Sequence, residues 1–259
     1  MNNTEHKSNP ESEWFGETAV TPKEKTEKVL GVFHSVAKNY NIMNDVMSLG
    51  IHRMWKDRFV ELINPKAGLS YLDVAGGTGD IAFRIHKRTD DAPDITVCDI
   101  NTSMLSVGRD EALNKGIING IEWVTGNAES LPLPDNSKDV YTIAFGLRNV
   151  THIDNALKEA HRILRPGGRF YCLEFSHLPD PAMQKIYDSY SYNIIPKMGD
   201  VVAKDADSYQ YLVESIRKFP KQDELVRRIE SAGFDKAGYK NLSCGIAAMH
   251  WAGSFRKNK

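Results

Sequence analysis

Short apolar runs and amphipathic stretches alternate along most of this 259-residue chain. The apolar runs are rich in Val, Ile, Leu, Phe and Tyr, which is typical of buried strands, and the stretches between them repeat apolar residues at helical spacing. The predicted strands cover 71–74, 95–99, 121–125, 139–145 and 169–175, and the predicted helices cover 80–88, 102–115, 152–164 and 222–232. This alternation predicts parallel βαβ units and an α/β fold.

The C-terminal part departs from this alternation. Two apolar runs at 238–242 and 246–252 are separated by a short polar, glycine-containing segment. Adjacent runs joined in this way predict a β-hairpin. We therefore expect a Rossmann-like, seven-stranded and mostly parallel sheet that has helices on both faces and one antiparallel C-terminal strand.

Additional segments flank and interrupt the predicted sheet. Residues 1–22 are polar and predict a disordered tail, so that 23–259 forms a single domain. Thr21 is placed to cap a first helix, and 23–64 is expected to form an N-terminal helical cover. The tyrosine-rich stretch 177–220 is expected to form a helical insertion over the carboxyl ends of the strands, where open parallel sheets bind ligands.

A glycine-rich turn follows the first predicted strand, in the stretch YLDVAGGTGD at 71–80. Its residues are Gly76, Gly77, Thr78 and Gly79. The spacing is neither the dinucleotide fingerprint nor a phosphate-binding P-loop. Carboxylates flank the turn at Asp73 and Asp80, and they would repel a pyrophosphate but suit an ammonium and a sulfonium group. The turn therefore predicts S-adenosyl-L-methionine as the cofactor.

Polar residues after the next two strands extend this interpretation. Asp99 ends the second strand, where a carboxylate accepts hydrogen bonds from both hydroxyls of a ribose. Asn127 and Ala128 follow the third strand, where an amide and a small side chain suit the edge of an adenine ring. The alternative is a tight βα turn at 71–80 with Asp99 as a solvated strand end.

Composition excludes several classes of function. The net charge of −1 gives no electrostatic case for nucleic acid as a partner, and the chain contains no apolar run of about 18 residues that would span a membrane. The three cysteines are far apart and match neither a zinc site nor a disulfide framework. The histidines and carboxylates show no metal-ligand spacing, so no metal is expected.

Seven blocks, in order, resemble the ubiquinone/menaquinone-biosynthesis C-methyltransferase family, whose members have the class I methyltransferase fold. The blocks are residues 32–56, 72–80, 126–139, 145–150, 162–170, 173–176 and 205–220. The resemblance implies methylation of a ring carbon of a polyprenylated benzoquinol or naphthoquinol. It implies cofactor contacts from Thr78, Asp99, Asn127 and Ala128. It also implies a cytoplasmic protein at the bacterial inner membrane, with a homodimer or a quinone-biosynthesis complex as possible assemblies.

Methyl transfer to a quinol carbon needs help with loss of a phenolic proton, because a neutral ring carbon is a poor nucleophile. Arg148 and Asn149 follow the fourth strand in FGLRNV and are candidates to stabilise a phenolate or orient a water. Tyr40 is a further polar candidate. The structural alternative for Arg148 is a salt bridge to Asp80 or Glu174.

The acceptor's isoprenoid tail would be apolar, so the segments 40–56 and 183–212 are expected to form an apolar mouth that faces lipid. Within the first segment, Met43, Met47 and His52 are candidates for a substrate lid, together with Tyr40. Three alternative functions remain open at this point. They are methylation of another apolar phenol or sterol, a silent methyltransferase-like subunit that scaffolds a quinone-synthesis complex, and a nicotinamide oxidoreductase.

Overall fold

The predicted strands assemble into one sheet in a computed structural model, which describes residues 13–16, 18–36, 45, 48, 50–89, 93–193 and 206–254. The strands are β1 (Glu13–Phe15), β2 (Thr18–Val20), β3 (Ser70–Val74), β4 (Asp94–Asp99), β5 (Ile121–Thr125), β6 (Lys138–Ala144), β7 (Leu164–Phe175), β8 (Asp235–Leu242) and β9 (Ala247–Ser254). The sheet has seven strands in the order β5-β4-β3-β6-β7-β9-β8. Strands β3 to β7 are parallel, and β9 lies antiparallel between β7 and β8. The predicted fold class is confirmed.

The strand order reverses between β3 and β6. The chain first proceeds outward from β3 to β4 and β5, and then returns to place β6 on the other side of β3. In open α/β sheets such a reversal leaves a crevice at the carboxyl ends of the strands, because the flanking connections diverge. The glycine-rich turn after β3 lies at this crevice.

Helices pack on both faces of the sheet. They are α1 (Pro22–Val36), α2 (His52–Ile63), α3 (Asp80–His86), α4 (Thr102–Asn114), α5 (Ile153–Ile163), α6 (Pro181–Asn193), α7 (Ala206–Lys218) and α8 (Gln222–Ser231). Successive strand residues alternate between two buried clusters. Tyr71 belongs to the cluster that includes residues of α2 and α3, and Leu72 belongs to the cluster that includes residues of α5 and α8. The two clusters are the two layers of the hydrophobic core.

The N-terminal segment differs from its prediction. Strands Glu13–Phe15 and Thr18–Val20 pair antiparallel as the hairpin β1–β2, whereas the sequence predicts a disordered tail over 1–22. The helix start is as expected, because the Thr21 backbone N–H donates to Glu24 Oε2 at 2.8 Å and the Glu24 N–H donates to Thr21 Oγ1 at 3.3 Å. This reciprocal pair is a capping box that begins α1.

Strand β7 is longer than its prediction, which began the strand at residue 169. The strand begins at Leu164, which pairs with Lys138, and regular pairing resumes with Arg169 opposite Val140. The extra residues form an irregularity within the strand, and Gly167 takes a positive φ of 83° there. None of the helices in the described part of the chain combines the length and apolar character that crossing a bilayer requires.

Two helical glycines give a matched test of packing beside the crevice. A Cβ on Gly108 in α4 would lie 2.4 Å from Cζ3 of Trp123, whereas a Cβ on Gly31 in α1 would meet nothing within 4 Å. We expect Gly108→Ala to lower the free energy of unfolding by about 1–3 kcal/mol, because the overpacked ring must move. Gly31→Ala should leave it unchanged or raise it by up to about 1 kcal/mol, because alanine favours helix.

Urea unfolding followed by circular dichroism measures both variants. Equal stability of the two variants would contradict the packing of Trp123 against Gly108.

Candidate active site

The glycine-rich turn after β3 needs small residues for two different reasons. Gly77 and Gly79 have positive φ values of 55° and 82°, which side chains rarely adopt. Gly76 has an ordinary φ, but a Cβ there would lie 2.7 Å from Cγ1 of Val97 and 2.9 Å from Oδ2 of Asp73. The turn therefore lies directly on the strand ends, and its backbone is available to a ligand on the other side.

The carboxylate of Asp99 connects this turn to the next strand. Its Oδ2 accepts a hydrogen bond from the Gly77 backbone N–H at 2.9 Å, and its Oδ1 accepts from the Asn101 N–H at 2.8 Å. Asn101 in turn caps α4 by accepting from the N–H groups of Ser103 and Met104. Burial raises the pKa of Asp99, and the backbone donors oppose that shift. Each carboxylate oxygen has a second lone pair, so Asp99 can still accept from ribose hydroxyls.

A crevice opens between the strand ends and α1, and it brings together five of the predicted site residues. They are Gly77, Asp99, Asn127, Ala128 and Asn149. The Oδ1 atom of Asn127 accepts from the Glu129 N–H at 3.0 Å, which fixes the side chain and leaves its amide N–H groups for a ligand. The crevice therefore has donors and acceptors at the positions that the sequence predicts for adenosine.

Helix α1, part of the predicted N-terminal cover, forms one wall of the crevice with residues that the sequence does not single out. Thr26, Val29, Leu30 and Phe33 line the crevice from this helix. Their helical spacing is visible in the sequence and predicts a buried apolar face. It does not reveal what that face covers, because the contact is with strand ends distant in the chain.

Asp73 lies beneath the glycine turn and is 1% exposed. Its Oδ1 accepts from Thr142 Oγ1 at 2.8 Å, whereas its Oδ2 has no hydrogen-bond partner. Burial raises the pKa of Asp73 to about 7. A buried carboxylate oxygen without a donor is costly, so this site is suited to a cationic group such as the ammonium of S-adenosylmethionine.

Asp80 has a different environment from Asp73. It accepts from Lys56 Nζ at 2.8 Å and from Arg84 Nε at 2.8 Å, and so ties α2 to α3. Burial opposes its ionisation, but the two cations outweigh that effect and hold the pKa of Asp80 at about 2. Thr78 is buried, and Gly79 packs against Trp123, so these two residues shape the turn.

The turn after β6 places the two predicted catalytic residues on different sides. Asn149 faces the crevice. Arg148 is buried, and its Nη1 donates to Glu174 Oε1 at 2.6 Å and to the Phe145 carbonyl at 2.6 Å. Glu174 is one of the two structural partners named above, and both side chains of the pair are 1% exposed. Phe145 takes a positive φ of 57°, an uncommon conformation that marks this turn as constrained.

The third predicted catalytic residue, Tyr40, lies outside the described residues, as do the lid candidates Met43 and Met47. His52 is described, and its Nε2 lies 2.8 Å from Asp45 Oδ1. It borders a cavity with Asp80 and Phe83, away from the crevice. Among the described residues, no group of three His, Cys, Asp or Glu side chains is arranged to hold a metal ion.

Solved structures with similar backbones support the fold. A SAM-dependent methyltransferase from Thermotoga maritima has a TM-score of 0.62 at 18% identity, and the match covers 87% of this chain and 99% of the other. A SAM-dependent methyltransferase from Aquifex aeolicus has a TM-score of 0.56 at 16% identity over 76% of this chain and 88% of the other. At these identities the likeness concerns the fold alone.

Sequence relatives are much closer than these structures. The ubiquinone/menaquinone biosynthesis C-methyltransferase UbiE of Brucella abortus is 56% identical over 238 residues, which is 91% of this chain and 88% of the relative. The mitochondrial 2-methoxy-6-polyprenyl-1,4-benzoquinol methylase of Xenopus laevis is 50% identical and covers 91% of this chain and 87% of its own. A profile of the ubiE/COQ5 methyltransferase family matches residues 21–254. The chain therefore belongs to the ubiE/COQ5 methyltransferase family, as the motifs in its sequence predict.

Proposed function

We propose that this protein transfers the methyl group of S-adenosylmethionine to a ring carbon of a polyprenylated benzoquinol or demethylmenaquinol. The observation that carries the proposal is the 56% identity, over 91% of the chain, to a relative named as a C-methyltransferase of ubiquinone and menaquinone biosynthesis. The Xenopus relative is named as a methylase of a prenylated benzoquinol. The crevice beside the glycine turn is where we expect the cofactor to bind.

Different residues of the described chain suit different parts of the cofactor. Asp99 suits the ribose hydroxyls, and Asn127 with Ala128 suits the adenine ring. The free Oδ2 atom of Asp73 suits the amino group, because a cation there stabilises the ionised carboxyl. When bound, S-adenosylmethionine supplies an electrophilic methyl group. The residues themselves bind and orient it.

The pKa of Asp73 makes cofactor affinity depend on pH. Because burial raises this pKa to about 7 in the free protein, a cationic amino group must draw the carboxyl into its ionised form. Binding then releases a proton below pH 7, and affinity for S-adenosylhomocysteine should fall by up to about tenfold for each pH unit below that value. Calorimetric titrations between about pH 5.5 and 8 measure the slope.

Two variants separate this effect from general acid sensitivity. Asp73→Asn should bind more weakly at high pH and should lose the pH slope. Asp94→Asn is the matched control, because Asp94 pairs with Lys138 and its side chain is 64% exposed. A slope that persists unchanged in Asp73→Asn would refute the assignment.

The acceptor side of the site begins at the turn after β6. Loss of a phenolic proton places negative charge on the ring, so nearby donors would favour the reacting form. Asn149 offers an amide to the crevice, whereas the Arg148 side chain is buried in its pair with Glu174. The proposed role of Asn149 is to donate to the developing phenolate or to hold the water that takes its proton, and that of Arg148 is to fix the turn that presents Asn149. A role for Tyr40 stays a prediction.

A truncation of Asn149 tests this assignment. Asn149→Ala should lower kcat for a short-chain demethyl-quinol by roughly 10- to 100-fold, because one donor to the developing charge is lost. Asn155→Ala is the control, since Asn155 is exposed on α5 and does not line the crevice.

Methyl transfer is followed by mass spectrometry of the quinol product, with a simple phenol and a sterol as competing acceptors. Methylation of a competing acceptor in preference to the quinol would contradict the proposed substrate. Cofactor binding without any methyl transfer by the wild-type protein would favour a scaffolding subunit.

Exposed apolar side chains support the proposal that the protein acts at a lipid surface. Ile51 and Met54 are 38% and 53% exposed, and Met183 and Tyr192 are 42% and 39% exposed. All four lie in the two segments that the sequence predicts as an apolar mouth. The proposal is a cytoplasmic enzyme that reaches its tailed acceptor at the inner face of the membrane, whether as a monomer, a homodimer or part of a quinone-biosynthesis complex.

Liposome cosedimentation tests the membrane contact. The double change Met54→Ser and Met183→Ser should reduce binding to anionic vesicles by roughly tenfold. Two apolar side chains that would insert into the lipid on binding are lost in this variant. Leu113→Ser and Ile118→Ser form the control pair, since these residues are 63% and 83% exposed outside the mouth segments. Equal loss in both double variants would contradict a localised mouth.

A further inference from the structure

The hairpin β1–β2 packs on two helices that border the site. Glu13 Oε2 accepts from Lys25 Nζ of α1 at 3.1 Å, and Lys218 Nζ of α7 lies 3.9 Å from the ring centroid of Trp14. The Phe15 ring stacks on Tyr211 of α7, with centroids 4.2 Å apart and planes at 12°. An aromatic pair of this geometry adds to the area that it buries. The hairpin therefore contacts α7 through Lys218 and Tyr211, and the stack on Tyr211 is the contact that leads toward the crevice.

Tyr211 connects this stack to the crevice. Its side chain is 4% exposed, and its hydroxyl donates to Oδ1 of Asn149 at 3.1 Å. Asn149 Nδ2 lies 3.5 Å from the Phe145 carbonyl, at the limit of a hydrogen bond. An amide has one oxygen and one NH₂ group, so a donor at the oxygen decides which way the NH₂ group points. Tyr211 thus sets the orientation in which Asn149 faces the crevice.

The protonation state of Tyr211 agrees with a donor role. Burial raises the pKa of Tyr211 well above its ordinary value, against a smaller opposing effect of Arg148. The hydroxyl therefore keeps its proton at neutral pH. The neutral hydroxyl of Tyr211 therefore remains a hydrogen-bond donor to the amide oxygen of Asn149 when the pH changes around neutrality.

The hairpin lies outside the part of the chain that the family profile matches. That match begins at residue 21, whereas Tyr211 and Asn149 fall within it. The stack of Phe15 on Tyr211 thus joins a residue before the matched part of the chain to a residue within it.

We propose that Tyr211 is a positioning residue that orients Asn149 in the crevice, and that Phe15 of the hairpin holds Tyr211 in place. This inference rests on the proposed position of Asn149 beside the acceptor. The chain of contacts runs from the Phe15 ring to the Tyr211 ring, and from the Tyr211 hydroxyl to the Asn149 amide. Neither Phe15 nor Tyr211 is required to touch the acceptor or the cofactor.

Methyl-transfer kinetics of the full-length protein test both contacts. Tyr211→Phe keeps the stack but removes the donor, and it should lower kcat roughly tenfold, because one hydrogen bond that orients the amide is lost. The dissociation constant of S-adenosylhomocysteine should change much less. Tyr239→Phe is the matched control, since Tyr239 lies on β8 at the far edge of the sheet. Unchanged kcat in Tyr211→Phe would overturn the positioning role.

A double-mutant cycle tests the link to the hairpin. Phe15→Ala should lower kcat in the wild-type background but not further in the Tyr211→Phe background, because it acts through the hydroxyl. Phe15→Tyr keeps the stack and should retain kcat. Thermal melts identify any variant that unfolds, in which case Phe15→Leu replaces Phe15→Ala. Equal losses in the two backgrounds would overturn the role of Phe15.

A readout without turnover separates this inference from the proposed acceptor. The side-chain NH₂ of Asn149 gives a pair of ¹⁵N–¹H correlations, assigned by its absence in Asn149→Asp. Tyr211→Phe and Phe15→Ala should both shift this pair, and Tyr239→Phe should not. If the wild-type protein fails to methylate a quinol while the pair shifts as stated, the acceptor is wrong and the contact chain stands. An unshifted pair would overturn the contact chain whatever the acceptor.

Discussion

The buried ion pair between Arg148 and Glu174 fixes the turn on which the acceptor side of the site is built. Removing two charges from water is expensive, and the expense is offset only if each charge finds its partner and its hydrogen bonds in one arrangement. Here the guanidinium meets both the Glu174 carboxylate and the Phe145 carbonyl, and the carboxylate also accepts from the Arg148 backbone N–H. The turn after β6 is therefore anchored to β7. Asn149, the next residue, has its backbone position set by this anchor.

The cofactor side of the site is also held by a buried group, but here it is a carboxylate that accepts from backbone N–H groups. A single carboxylate, Asp99, receives backbone N–H groups from the glycine turn after β3 and from the start of α4. It thereby holds the ends of two adjacent connections at one point. The crevice between these two anchors exists because the strand order reverses between β3 and β6. Helix α1 then covers it with an apolar face.

Much of this arrangement is predictable from the sequence, because it is encoded by residues close together in the chain. Strand and helix periodicity identified the parallel core, and the glycine turn with Asp99 and Asn127 identified the crevice. Asp73 and Asp80 look equivalent beside the turn, yet one is buried beneath it and the other pairs with Lys56 of α2. Contacts between segments distant in the chain give Asp73 and Asp80 these different environments, and local sequence patterns do not predict such contacts.

The same limit explains the remaining differences. Strands β1 and β2 have only 3 residues each, too few to show a period in the sequence, and the packing of Phe15 on Tyr211 of α7 stabilises them. The irregularity at the start of β7 depends on pairing with β6 across the sheet. For Arg148 the sequence left two structural partners open as alternatives to catalysis. The geometry of the β6 turn, and not the spacing of the charges, brings the side chain to Glu174.

The indole of Trp123 has a consequence for how this site changes over evolutionary time. Its ring lies against both Gly79 of the cofactor turn and Gly108 of α4, where added Cβ atoms would come within 2.7 Å and 2.4 Å of it. A side chain at Gly108 therefore favours a smaller residue at position 123, and a smaller residue there leaves a void beside both glycines. Gly79 is constrained separately by its positive φ of 82°. Positions 108 and 123 are thus expected to change together, so a homologue that has lost the tryptophan is where a bulkier residue at position 108 should be sought.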